Sequence, residues 1–167
     1  MKVWNYYGTV EIKDILCPVE LKLEFSNLKM KDVASNGEIQ MKYGEALFMA
    51  CEGDFVFRTN RTNAEIDHHR GSLELIAEFS EIELMHLAEI KLLDVKSKRS
   101  KLFLDIPMAS GPTYAITTTN TESKSLVGPE LEGEIESGKV KFTYEPISPQ
   151  GIAEIEMETG KLNYIIK

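Results

Sequence analysis

Val19-Glu20-Leu21-Lys22-Leu23-Glu24-Phe25-Ser26 alternates apolar and polar residues without a break. A period of two places Val19, Leu21, Leu23 and Phe25 on one face of a strand and the charged residues on the other. The same pattern recurs in Leu73-Glu74-Leu75, in Val140-Lys141-Phe142-Thr143-Tyr144 and in Glu154-Ile155-Glu156-Met157-Glu158. Each is a half-buried strand. Sheets with one wet face are characteristically antiparallel, so the expected pairing is antiparallel.

Turn signals fit that expectation. Asn36-Gly37, between Leu28-to-Val33 and Ile39-to-Tyr43, is the preferred pair for a two-residue hairpin, and Gly53-Asp54 separates two further apolar runs. Glu136-Ser137-Gly138-Lys139 and Glu158-Thr159-Gly160-Lys161 resemble each other and read as related hairpins. The glycine spacings differ along the chain, so no repeat of fixed period is read. Thr113 to Thr121 reads as a polar or edge strand. Ser80-Glu81-Ile82-Glu83 has the form of a helix capping box. The apolar residues that follow form no stripe on a helical wheel. Two strands, with Ile82, Leu84, Ile90 and Leu92 on one face, are favoured over a short helix within Ser80 to Lys96. The expected fold is all-β: an antiparallel meander forming a barrel or barrel-like sandwich, in one domain over residues 1–167.

Composition narrows the function classes. The 167 residues are 43% hydrophobic, and no apolar run is long enough for a membrane-spanning helix. A formal charge of -8 repels phosphate backbones and anionic lipid, so neither nucleic acid nor a membrane is an expected partner. The excess is uneven: from Glu122 to Glu158, nine Glu stand against three Lys. The basic cluster Lys96, Lys98, Arg99 and Lys101 reads as a solvated loop. Two cysteines, Cys17 and Cys51, are too few for a disulfide framework. With no secretory signal visible, a cytoplasmic location and free thiols are expected.

No chemistry-bearing motif stands out. There is no G-x-S-x-G, no phosphate loop and no dinucleotide fingerprint, so no cofactor is expected. His68 and His69 would point to opposite faces of a strand. A zinc site would need one of them, His86 and a carboxylate such as Glu65 or Asp67 to converge. Nothing in the spacing demands that, and no metal is expected. Glu130, Glu132, Glu134 and Glu136 read as a solvated outer face.

Gly128-Pro129-Glu130-Leu131-Glu132-Gly133-Glu134-Ile135, then Gly138, then Gly151-Ile152-Ala153-Glu154-Ile155 resembles the late part of an uncharacterised family of small calycin-like barrels. The paired glycine and Asp-Trp of that family's pattern are absent, and the family has no firm activity to lend.

Three function classes follow. The first is a non-catalytic barrel whose interior holds a small, largely apolar ligand against Phe25, Phe57, Phe142 and Tyr144. The second is a protein-interaction or assembly module, such as a homo-oligomer subunit or a viral or phage structural piece. The third is a barrel enzyme using a carboxylate or His86 as base.

Overall fold

The computed structural model describes residues 1–167, in thirteen strands and no helix. These are β1 (Lys2–Asn5), β2 (Gly8–Lys13), β3 (Val19–Glu24), β4 (Ser26–Lys31), β5 (Gly37–Met49), β6 (Glu52–Asp67) and β7 (Arg70–Glu78). They continue with β8 (Glu81–Met85), β9 (Ile90–Ile106), β10 (Ser110–Val127), β11 (Gly133–Glu136), β12 (Lys139–Tyr144) and β13 (Ser148–Ile166). The all-β expectation holds, and the segment after Ser80 is strand, not helix. The antiparallel meander does not hold. Only β10–β12 and β11–β12 pair antiparallel, and every other pairing is parallel.

The register explains why. Lys2 lies against Glu20, Glu20 against Glu38, Glu38 against Val56 and Val56 against Glu74, each step eighteen residues. On a second wall Leu28 lies against Ala46, Ala46 against Ala64 and Ala64 against Ile82, again in steps of eighteen. The chain therefore winds in coils stacked at the ordinary inter-strand spacing, about 4.8 Å. The next step is twenty, from Glu74 to Asp94 and from Ile82 to Leu102. Long strands such as β6 and β9 bend at a corner and serve both walls. In this way β6, β7, β9 and β8 pair in a closed circuit about the corner at Phe79 and Ser80, which is the barrel-like part of the fold.

In the middle coils, two corners are made by single residues in the left-handed region. One column holds Asp14, Asp32, Ala50, His68 and His86; the other holds Phe25, Tyr43, Arg61, Phe79 and Arg99, all with φ between 48° and 55°. Their amides bond to the next coil, as Phe25 N–H does to the Lys42 carbonyl (2.9 Å) and His68 N–H to that of Met85 (3.2 Å). After the second type of corner comes a small residue: Gly8, Ser26, Gly44, Thr62, Ser80, Ser100. The Ser80 hydroxyl donates to the Glu78 carbonyl two residues back (2.8 Å) and accepts from the Thr62 amide (3.2 Å). At Gly44 a Cβ would lie 2.0 Å from the Ser26 carbonyl oxygen, so that coil admits only glycine.

Inward residues form continuous columns. Val3, Leu21, Ile39, Phe57, Leu75 and Val95 stack along the first wall. Ile12, Met30, Phe48, Ile66 and Leu84 stack along the second. Between the walls runs a short third side whose inward residues Val33, Cys51, His69 and Leu87 are buried. The coil ladder continues there through the Glu52 and Arg70 amides, which donate to the carbonyls of Val33 and Cys51 (2.8 and 2.9 Å).

The C-terminal end departs from simple winding. The final strand, β13, inserts between β9 and β10, so that Ile155 lies between Val95 and Ile116. The hairpin β11–β12 then extends the first wall beyond β10, and Leu131 and Phe142 pack against the core. Among the expected hairpins, only Glu136-to-Lys139 is one. Ser137 and Gly138 carry φ of 52° and 77°, as a type I′ turn requires. The look-alike at Thr159 is a corner inside β13, and Asn36-Gly37 leads from the third side into β5.

A left-handed corner costs a residue with a Cβ about 1–2 kcal/mol. At Tyr43 the ring, stacked on Phe25 at 4.8 Å, offsets that cost. In urea unfolding, Tyr43→Ala should lose about 1 kcal/mol with the stack. Tyr43→Gly should be more stable than the alanine variant by about the corner penalty. Equal stability of the two would contradict a strained corner here.

Candidate functional site

The strands carry mostly satisfied, regular chemistry; three features depart from it. The first is the open N-terminal end. β1 pairs with β3 and β2 with β4, and neither has a partner on its other edge. The Met1 carbonyl accepts from the Glu20 amide (2.9 Å). Because backbone groups alternate sides along a strand, Lys2 and Trp4 turn their N–H and C=O away from the stack. Trp4 (78% exposed), Tyr6, Tyr7 and Leu16 (81%) gather on this coil. Its side-chain charges cancel, with Lys2 and Lys13 against Glu11 and Asp14. At the far end Leu131 and Phe142 pack on the core and most of the acidic excess is held, while β11 and the part of β10 beyond Thr118 leave their outer edges unpaired.

The second feature is the corner ladder Tyr7, Phe25, Tyr43, Arg61, Phe79 and Arg99. Tyr7 stacks on Phe25 at 5.6 Å, and Phe25 on Tyr43 at 4.8 Å. The Arg61 guanidinium lies 5.5 Å from the ring centres of both Tyr43 and Phe79, and that of Arg99 lies 5.4 Å from Phe79. These residues share one corner of successive coils, so the ladder runs up the stack.

The third feature is the opposite corner, where the fold brings Asp67, His68 and His86 together. Asp67 ends β6 and Met85 ends β8 in register with it, so the corner residues His68 and His86 lie one above the other. Their rings stack with centroids 4.6 Å apart. Asp67 Oδ1 is 2.8 Å from His68 Nδ1 and 2.7 Å from His86 Nδ1. Burial alone would raise the Asp67 carboxyl; the hydrogen bonds from His86 and His68 outweigh it and hold the group below its usual value. His86 Nε2 faces Asp105 Oδ2 at 3.8 Å, and Lys167 Nζ anchors that carboxylate at 2.9 Å. His69 belongs elsewhere. It is buried in the third-side column, its Nε2 donates to the Ser72 carbonyl (3.2 Å), and burial lowers its pKa. Glu65 points outward from β6 and is not part of the cluster.

The residues expected to hold an apolar ligand are distributed along the stack. Phe57 is buried beside Phe48 in the first-wall column. Phe142 lies in the same column, but separated from Phe57 by Leu75, Val95, Ile155 and Ile116. Tyr144 pairs with Tyr114 at the cap, and Phe25 stands on the exposed corner. The depressions on the molecule are open surface grooves. One of about 480 Å³ on the outside of the second wall is lined by polar side chains including Asn27, Glu45 and Asn63.

The charged clusters are internally matched or solvated. Lys96 pairs with Asp94, Lys98 with Glu158 and Lys101 with Glu81, while Arg99 covers Phe79. Glu130, Glu132, Glu134 and Glu136 are all exposed. Asp67, His68 and His86 were among the residues that a zinc site would need, but their convergence was not expected because the corners that meet are eighteen residues apart, on a period that alternation does not reveal. No helix is long and apolar enough to cross a membrane. Comparison with known proteins gives no match: no family model, no curated protein and no solved structure corresponds to this chain. The stretch that resembles calycin-like barrels lies in the cap hairpin and in β13, within a parallel stack.

The two thiols should differ sharply. Cys17 is exposed, whereas burial pushes the Cys51 thiol up to about 11. Alkylation of the folded protein at mildly alkaline pH should modify Cys17 and spare Cys51 until the chain is denatured, as read by intact mass. Equal rates at both sites would contradict the buried third-side column.

Proposed function

We propose that this protein is an assembly unit whose open N-terminal coil pairs edge to edge with the same coil of a second copy. The single observation behind this reading is the unpaired β1 and β2 edge bearing Trp4, Tyr6, Tyr7 and Leu16. A stacked-coil protein buries its core between neighbouring coils, so an uncapped terminal coil leaves one face of the core and a row of backbone groups without partners. A second strand set supplies both, by the main-chain pairing of β-augmentation.

Charge and shape select the orientation. Joining two C-terminal ends would bring together two surfaces that each carry nine Glu against three Lys between Glu122 and Glu158. The C-terminal end is also stepped, because β12 and β11 extend only the first wall. It offers no flush partner for the N-terminal coil. Two N-terminal coils have balanced side-chain charges, with the Met1 ammonium as the one charge left over, and a two-fold axis between them closes the assembly as a dimer.

Sedimentation analysis of the full chain should show a concentration-dependent dimer. Trp4→Pro removes an outward-facing N–H while leaving the pairing of Val3 with β3, as proline is tolerated on such an edge. It should yield a monomer with an unchanged circular dichroism spectrum, while Trp4→Phe should still dimerise. A monomeric wild-type chain at high concentration, or a Trp4→Pro variant that dimerises as well as the wild type, would overturn the proposal.

A further inference from the structure

The geometry points to a binding site for a divalent first-row transition ion, of which zinc is the type, at Asp67, His68 and His86. The ligands are Asp67 Oδ1 and the Nδ1 atoms of both histidines, which lie within 4.8 Å of one another. Two imidazoles and one carboxylate form a donor set suited to zinc and its neighbours, whereas calcium and magnesium favour oxygen-rich sites.

The fold preorganises this set. His68 and His86 occupy the same left-handed corner of successive coils, with φ of 53° and 51°. The His68 amide donates to the Met85 carbonyl at 3.2 Å, so the two corners are tied together by the backbone. Stacking fixes the spacing of the rings, and each presents Nδ1 to the same oxygen atom. An ion would replace the protons that now bridge Asp67 to the rings. Zinc bonds of about 2.0–2.2 Å place tetrahedral ligand atoms roughly 3.4 Å apart. Each Asp67–histidine pair, now at 2.8 and 2.7 Å, must therefore open by about 0.6–0.7 Å, a small movement for two exposed imidazoles.

The surroundings also fit. A metal-bound histidine commonly gives its other ring N–H to a carboxylate. Here His86 Nε2 faces Asp105 Oδ2 at 3.8 Å, and Lys167 holds Asp105 from the other side at 2.9 Å. Asp105 is buried, so this outer partner is held in place rather than free in solvent. The histidines are half open to water, which leaves coordination positions for water or for a group on another molecule. The site lies at the fourth and fifth coils, away from the open N-terminal edge, and does not depend on the assembly proposal.

The test is a titration of the full-length chain with zinc chloride, followed by calorimetry, in a Cys17→Ser background. That substitution removes an exposed thiol 3.9 Å from the N-terminal amine, which could bind zinc on its own. The expected result is one zinc per chain. His68→Asn and His86→Asn, chosen because asparagine accepts the left-handed corner, should each weaken binding at least about tenfold. Imidazole nitrogen resonances in the Cys17→Ser chain should show Nδ1 of both histidines shifting on saturation. Absence of one-to-one binding up to about 1 mM zinc would overturn the assignment. So would asparagine variants that bind as tightly as their parent, or a shift confined to His69.

Discussion

A backbone that turns two left-handed corners and lands on its own next coil is the constraint on which this molecule depends. Each coil must close with the same number of residues as its neighbour, or the parallel ladder loses register and buried amides lose their partners. The eighteen-residue step meets this condition from Lys2 through Glu74. The step is already nineteen at Gly71 and Ile90 and becomes twenty at Ser72 and Leu92, where a register shift takes up the second extra residue. The corners carry non-glycine residues at a conformational cost, and stacked side chains and hydroxyl bonds along the same columns offset it. The ladders on both corners are therefore products of the winding.

The same winding makes the two ends unequal. A coil in the middle of the stack has neighbours on both sides. The first coil has one, and its aromatic side chains and unpaired strand edges face outward. At the other end β13 returns to lie between β9 and β10, and Leu131 donates its amide to the Tyr164 hydroxyl at 2.8 Å as the loop crosses the core. One end has its core covered by the chain itself and bears the acidic excess, with β11 as its outer edge; the other leaves its whole first coil uncovered and has balanced side-chain charges. The proposed assembly role rests on this asymmetry.

Much of the strand content was legible because each coil has a dry face and a wet face, so Leu21, Leu23, Leu73 and Leu75 alternate with charged residues. Strand direction was not. Parallel sheets are usually covered on both faces, and alternation therefore suggested antiparallel pairing; here one wall covers the core for the other and the outer faces stay wet. The Asn36-Gly37 pair misled for a related reason. Gly37 is needed because a Cβ would come within 2.4 Å of Val19 in the coil before, not because a hairpin turns there. Ser80 imitated a helix cap because the same hydroxyl chemistry closes a coil corner. The repeat itself was masked by exchange among Gly, Ser and Thr at Gly8, Ser26, Gly44, Thr62 and Ser80, and among Phe, Tyr and Arg at the corner before them. Without that period, His68 and His86 had no visible reason to meet.

Backbone nuclear Overhauser contacts test the stacked-coil account most directly. Parallel, in-register coils require amide-to-Hα contacts between residues eighteen apart, for example along Glu20, Glu38 and Val56. Hα-to-Hα contacts should be confined to the hairpin formed by β11 and β12 and to its junction with β10. Strong Hα-to-Hα contacts across Asn36-Gly37, joining the segment before it to β5 as an antiparallel hairpin, would contradict the account.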